Sequence, residues 1–206
     1  MLKNDLRTFT TREKEPMLTL FRTLILPRID YCSVVWAPNR IQDIRAIERI
    51  QANFTKRIKS NMNEPDYWER LKEFKLYSIE RRFERYTIIY MWKILHELVV
   101  NPGITFQNNE SRIGITSKIP KYTIELREGS FMVKGPKLFN SLSKELREFP
   151  CKDKNNSKYS VTMFKRQLDK YLKTIPDQPN MAGEYTRRMD GVTLMGDRTN
   201  SILRIN

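Results

Sequence analysis

Apolar positions recur along this chain at helical spacing, broken by polar and proline-containing stretches. The clearest case is "IQDIRAIERIQANFTKRI", which Asn39 opens. At 100° per residue, Ile44, Ile47, Ile50, Phe54 and Ile58 fall on one stripe, and Arg45, Arg49, Lys56 and Lys59 fall on the opposite side. Upstream, Met17, Leu18, Leu20, Phe21, Leu24 and Ile25 supply the buried side of a first helix. Thr10 or Thr11 is placed to cap it, with Glu13 in the first turn, where the helix dipole favours an anion. Pro27 lacks an N–H and disfavours helix at Leu26, so a bend is expected there. A short helix or extended piece then runs to Trp36 and stops before Pro38.

Beyond the polar break "SNMNEP", Asp66 and Glu69 form an Asp-x-x-Glu start signal for a short helix through Phe74. Ser78 likewise caps a long helix to about Val99. Its first half sets Ile79, Phe83, Tyr86 and Tyr90 on one stripe and Arg81, Arg82 and Arg85 on the other face. From Ile88 to Leu95 it is apolar nearly all round, as a central helix buried on most sides would be. The pattern is lost from Asn101 to Gly129, a long connection with at most a β-hairpin and β-prone bits such as "YTIEL". Helix returns in "FMVKGPKLFNSLSKELREF", with Pro136 at a first helical position. A last helix capped by Ser160 carries Val161, Phe164, Leu168 and Leu172 at helical spacing. The expected fold is mainly α: a helical bundle over 1–100, an irregular connector over 101–130, a helical segment over 131–176 and a polar, disordered tail over 177–206.

The charge balance sharpens this picture. With 38 Lys and Arg against 24 Asp and Glu, the 206-residue chain carries a formal net charge of +14, which favours polyanionic partners, nucleic acid first. Cys32 and Cys151 lie in no C-x-x-C and suggest neither a disulfide framework nor a zinc site, and Cys32 reads as a small buried hydrophobe. His96 is the only histidine, which disfavours metal and thiol catalysis, and it reads as a packing residue. No cofactor is implied. The N-terminal stretch lacks an apolar signal-peptide core and no segment suits a membrane span, so an intracellular protein of nucleus or cytoplasm is expected.

The stretches "LFRTLILPRIDYCSVVWAPN", "DIRAIERIQANFTKRI" and "YWERLKEFKLYSIERRFERYTIIYMWKIL" together resemble a known arrangement. It is the region that follows the catalytic palm in reverse transcriptases of non-LTR retrotransposons, the LINE-type, jockey-like elements. The matching residues are Leu24, Pro27, Tyr31, Trp36, Pro38, Glu48, Gln51, Tyr67, Arg70, Leu71, Arg81, Arg82, Lys93 and Ile94. "GPKLFNSLSKELRE" and "FKRQLDKYLKTIPDQP" are similar to later blocks of that family, so the likeness runs from Met17 to about Pro179. Ser143 stands where the family usually has proline. The resemblance implies a thumb-like helical domain and a connector. It also implies a parent activity, RNA-directed DNA polymerisation, that needs palm carboxylates to hold Mg²⁺. This sequence has no adjacent Asp-Asp, so the chain by itself is expected to be non-catalytic.

The expected function is therefore a grip on template and primer, RNA or RNA–DNA hybrid, through phosphates. Arg45, Arg49, Lys56 and Lys59 on one helix and Arg81, Arg82 and Arg85 on another are the candidate contacts. The other reading of each set is an ordinary solvated face, salt-bridged to Glu48 or Glu84. Tyr31 and Trp36 are expected to pack in the core rather than to stack on bases. The alternative function is a repurposed helical protein-interaction module, whose exposed apolar first helix docks a protein partner and which has no nucleic-acid role.

Overall fold

The computed structural model describes residues 12–60, 63, 65–109, 114–151 and 157–177. It is mainly α-helical with one two-stranded antiparallel sheet, as expected. Helix α1 (Lys14–Leu20) passes directly into a π-helical turn (Phe21–Ile25) and then into α2 (Leu26–Asp30). Helical backbone thus continues through Leu26, where the proline disfavours it. In a regular helix the Pro27 ring would press on the carbonyl four residues back. Here the Leu26 N–H bonds to the Phe21 carbonyl five residues back, which widens the turn ahead of the proline. Glu13 is the N-cap of α1 rather than a first-turn residue. Thr10 and Thr11 lie outside the described residues. The chain turns at Cys32, whose φ is 51°, into a short α3 (Ser33–Trp36) that stops before Pro38. Cys32 is exposed, not buried.

Helix α4 (Ile41–Thr55) presents a different face from the one expected. Phe54 and Ile58 are buried, but Ile44, Ile47 and Ile50 are only half-buried, while Glu48, Gln51 and Thr55 are buried almost completely. Hydropathy places Glu and Gln outside; here both are required inside. Helix α5 (Tyr67–Phe74) begins with the capping box read in the sequence: the Glu69 N–H donates to Asp66 Oδ1 at 2.7 Å and the Asp66 N–H to Glu69 Oε2 at 3.0 Å. Helix α6 (Ile79–Leu95) starts at its Ser78 cap but ends four residues before Val99, closed by Glu97 at φ 57°.

Strands β1 (Phe106–Asn109) and β2 (Gly114–Ser117) pair with Phe106 opposite Ser117 and Asn109 opposite Gly114. This hairpin is the only sheet among the described residues, and it lies inside the expected connector. The β-prone "YTIEL" is not a strand: its end enters a single helical turn, α7 (Glu125–Glu128). Helix α8 spans Phe131–Asn140, so Pro136 lies inside it and not at its start. Gly135 lets this helix approach α6 closely, since a Cβ there would sit 2.9 Å from Met91 Sδ. Ser143 is the N-cap of α9 (Lys144–Arg147). Its φ of −60° is one that proline also adopts. Helix α10 (Ser157–Leu172) starts three residues before Ser160, which is buried within it.

Two apolar clusters form the interior. Met17, Phe21, Phe54, Phe74, Ile79 and Phe83 belong to one, in which Phe21 and Phe54 stack at 4.6 Å. Ile88, Trp92, Leu138, Phe139, Phe164 and Leu168 belong to the other, in which Trp92 and Phe164 stack at 4.7 Å. Helix α6 runs through both, its first half in one and its second half in the other. His96 packs on Trp92 at 4.4 Å, and its Nε2 lies 3.0 Å from the Phe149 carbonyl. Asp177, assigned to the tail by its sequence, is buried against α6. Residues 178–206 lie outside the described residues.

Because the Asp66–Glu69 box satisfies two first-turn donors, Asp66→Ala should lower stability by about 1 kcal/mol, measured as a smaller free energy of urea unfolding at unchanged m-value.

Candidate nucleic-acid interface

The three arginines of α6 are spaced to reach three different segments. Arg82 makes a bidentate pair with Asp30 at the end of α2, its Nε donating to Oδ1 at 3.1 Å and its Nη2 to Oδ2. Tyr86 Oη donates to the same carboxylate at 2.9 Å. Arg85 makes a second bidentate pair, with Asp169 of α10, at 2.6 and 2.9 Å. Arg81 is wholly buried: its Nη2 donates to the Pro176 carbonyl at 3.0 Å, and its Nη1 lies 3.8 Å from the Glu84 carboxylate. This corrects the expectation that the three form an outward phosphate cluster. Arg81 cannot meet a phosphate at all, and Arg82 and Arg85 already hold carboxylates. Bidentate pairs of this geometry fix orientation as well as charge.

The start of α6 is held from three places at once. Glu48 of α4 accepts from the Ile79 N–H at 2.8 Å and from Tyr67 Oη at 2.5 Å. Gln51 donates to Tyr67 Oη at 3.0 Å and to the Tyr77 carbonyl at 2.9 Å. Asp177 accepts from the Ser78 N–H at 2.8 Å and from Ser78 Oγ at 2.6 Å, while Ser78 Oγ itself accepts from the Arg81 N–H at 3.2 Å. Arg70 joins α5 to Thr55 at 3.4 Å and to the Pro65 carbonyl at 2.7 Å. Glu48, Gln51, Tyr67, Arg70, Arg81 and Arg82, which carry much of the resemblance, therefore all act inside the fold. Burial pushes the Glu48 carboxyl up to about 8, against the lowering hydrogen bonds from Tyr67 and Ile79. Burial also raises Asp177, against the Ser78 hydrogen bonds and the Arg81 charge.

The other predicted set divides. Arg49 and Lys56 are exposed on α4, with Arg57 beside them. Lys59 is exposed too and pairs loosely with Glu13 at 3.4 Å. Arg45 is half-buried on the flank of the helix and is less available than the rest. The stripe therefore reaches solvent mainly through Arg49, Lys56 and Lys59. Tyr31 and Trp36 are not core residues as expected. Tyr31 is 76% exposed, and Trp36 is 41% exposed while resting edge-on against Phe83 at 5.2 Å. With Leu24 and Val35 they form an exposed apolar group on the first 25 described residues.

A feature invisible in the sequence lies between α5 and the end of α10. A groove of about 800 Å³ runs there, lined by Trp68, Lys72 and Lys75 from α5 and its end and by Lys173, Ile175 and Pro176 from the C-terminal turn. It shares Lys75, Tyr77 and Asp169 with a smaller cleft of about 310 Å³ that Arg22, Arg82 and Arg85 also line. Lys72 lies over the Trp68 ring, 4.4 Å from its centroid. Lys75 holds φ 52° at the end of α5, the left-handed conformation more often taken by glycine. No carboxylate among the described residues pairs with Lys72, Lys75 or Lys173. The two walls lie about 100 positions apart in the chain, and no periodicity links them.

No family model matches the chain, and no curated protein or solved structure is found to be similar to it. Among the described residues no His, Cys, Asp and Glu side chains converge as a metal site, and no helix is long and apolar enough to cross a membrane.

The Glu48 shift sets a pH dependence with a definite sign. The native carboxyl titrates near 8 and the unfolded one near 4.5, so its contribution is complete below 4.5 and is lost as pH rises through 8. Asp177 shifts in the same direction. Thermal unfolding at several pH values should therefore show Tm falling between pH 5 and 8. Glu48→Gln, which stays neutral and still accepts from Ile79, should flatten that fall appreciably.

Proposed function

We propose that this chain is a non-catalytic nucleic-acid-binding unit. On this reading it serves as the thumb and C-terminal connector of a LINE-type reverse transcriptase and holds RNA or RNA–DNA hybrid through its phosphates inside the cell, in nucleus or cytoplasm. The observation that carries the reading is the set of exposed cations. Glu48, Glu84 and Asp177 are buried, and Asp30 and Asp169 are spent on Arg82 and Arg85. Arg49, Lys56, Lys72, Lys75 and Lys173 remain exposed. The buried Arg81 and Arg147 nearly offset the buried acids and each Arg–Asp pair is neutral, so folding leaves the basic excess of the chain, +14, almost unchanged. Such a surface binds phosphate backbones without reading sequence, which is what a polymerase thumb requires.

The rival reading, a protein-interaction module, has one observation in its favour: the exposed apolar group of Leu24, Tyr31, Val35 and Trp36. Retention on heparin or immobilised nucleic acid that weakens steadily with salt separates the two, because an apolar docking face does not release with salt in this way.

The outward cations of α4 give the quantitative test. Replacing Arg49, Lys56 and Lys59 together with Ala should weaken RNA–DNA duplex binding about equally for unrelated sequences and reduce the log K against log[salt] slope by about 3. Stability should move by no more than about 0.5 kcal/mol for each exposed site. Fluorescence titrations at several salt concentrations measure the slope, and an unchanged slope would remove α4 from the interface.

A further inference from the structure

We infer that the groove between α5 and the C-terminal turn binds a single-stranded polynucleotide, with Trp68 as a base-stacking platform and Lys72, Lys75 and Lys173 as phosphate contacts. This rests on the reading of the chain as a nucleic-acid binder; it adds a second contact surface and the strand form that surface takes.

Three features of the groove point to this ligand. Its volume of about 800 Å³ lies within the range of clefts, about 300–1,000 Å³, that enclose a ligand, whereas the α4 cations sit on an open helix face. It sets three ammonium groups that lack carboxylate partners among the described residues around a partly exposed indole. The two acids in its lining are already committed, Asp169 to Arg85 and Asp177 to Ser78, so they offer little counter-charge to the lysines.

Lysines near helix C-termini are ordinarily explained by the helix dipole, and Lys72, Lys75 and Lys173 stand at the ends of α5 and α10. The dipole does not account for the indole that lines the same groove. A cationic groove with an aromatic floor is the arrangement that holds single strands: phosphates follow the charge and each base has a face to stack. A paired duplex keeps its base faces against one another and offers none to Trp68, so the groove favours unpaired bases. Lys72 currently covers the indole at 4.4 Å. Its flexible stem can carry the ammonium off the ring as a base arrives, placing the charge beside the adjoining phosphate.

The far wall depends on the same contacts that cap α6. Lys173, Ile175 and Pro176 stay in place because Pro176 accepts from Arg81 and Asp177 accepts from Ser78. The groove thus exists only while the C-terminal turn is docked.

Fluorescence polarisation of the full chain with labelled 12-nucleotide oligo-U, oligo-dT and a blunt 16-base-pair RNA–DNA duplex tests the inference. Trp68→Ala should weaken both single strands about tenfold and leave the duplex within about twofold, while Trp68→Phe, which keeps a ring, should stay within about threefold on all three. Lys72→Ala, Lys75→Ala and Lys173→Ala combined should reduce the single-strand salt slope by about 2. If Trp68→Ala does not fold, as judged by its Tm, the lysine variant and Trp68→Phe still decide. Single-strand affinity unmoved by Trp68→Ala in a folded protein, or a salt slope unmoved by the lysine variant, overturns the groove site. Wild-type protein that binds the duplex but neither single strand overturns this inference alone; protein that binds none of the three overturns the nucleic-acid reading as well.

Discussion

The start of a buried helix is the constraint on which this fold turns. Helix α6 runs through both apolar clusters, so its first N–H groups open into the interior rather than into water. An unsatisfied donor there costs about 1–3 kcal/mol. The chain meets the demand with Glu48 on Ile79, Asp177 on Ser78 and Ser78 Oγ on Arg81. Each acceptor comes from a different part of the sequence, so capping the helix also fixes α4 on one side of it and the C-terminal turn on the other. Two buried carboxyls are the cost, visible in the upward titration of both Glu48 and Asp177.

Arginine completes what the caps begin. Along one helix, Arg81, Arg82 and Arg85 reach the C-terminal turn, α2 and α10 respectively. Pairs of this kind contribute less through net energy than through the single arrangement they permit, since each guanidinium is satisfied in one geometry. Each pair withdraws one acid and one base together from the solvent-facing charge. The cations left exposed include Arg49, Lys56, Lys59, Lys72, Lys75 and Lys173, alongside exposed acids such as Glu15, Asp43 and Glu145. These cations lie in two settings, one an open helix face and the other a walled cleft.

What the sequence disclosed depended on how local the cause was. The Asp66–Glu69 capping box and the Ser78 cap are set by neighbours a few residues apart, and both were legible, whereas the connector's hairpin was read only as the most it could hold, with its strands unplaced. Pro27 argued against helix at Leu26, and the π turn that keeps the backbone helical there leaves no mark in hydropathy. The rotated face of α4 misled because Glu48 and Gln51 are buried to serve Tyr67, Tyr77 and Ile79, partners that lie 16 to 31 positions away. The α6 arginines looked like a surface cluster for the same reason: their carboxylates are 52 and 84 positions distant, and only folding brings them near. The presence of Asp30 and Asp169 was plain; their pairing was not.

The claim that links fold to function is that α6 arginines are internal ties and not ligand contacts. Arg85→Ala tests it most directly, with Tm and the salt dependence of duplex binding measured on the same preparation. The account predicts a loss of about 2 kcal/mol, seen as a Tm lower by roughly 4–8 °C, with the salt slope unchanged. An unchanged Tm together with a slope reduced by about 1 would contradict it, since that is the signature of a solvent-facing phosphate contact.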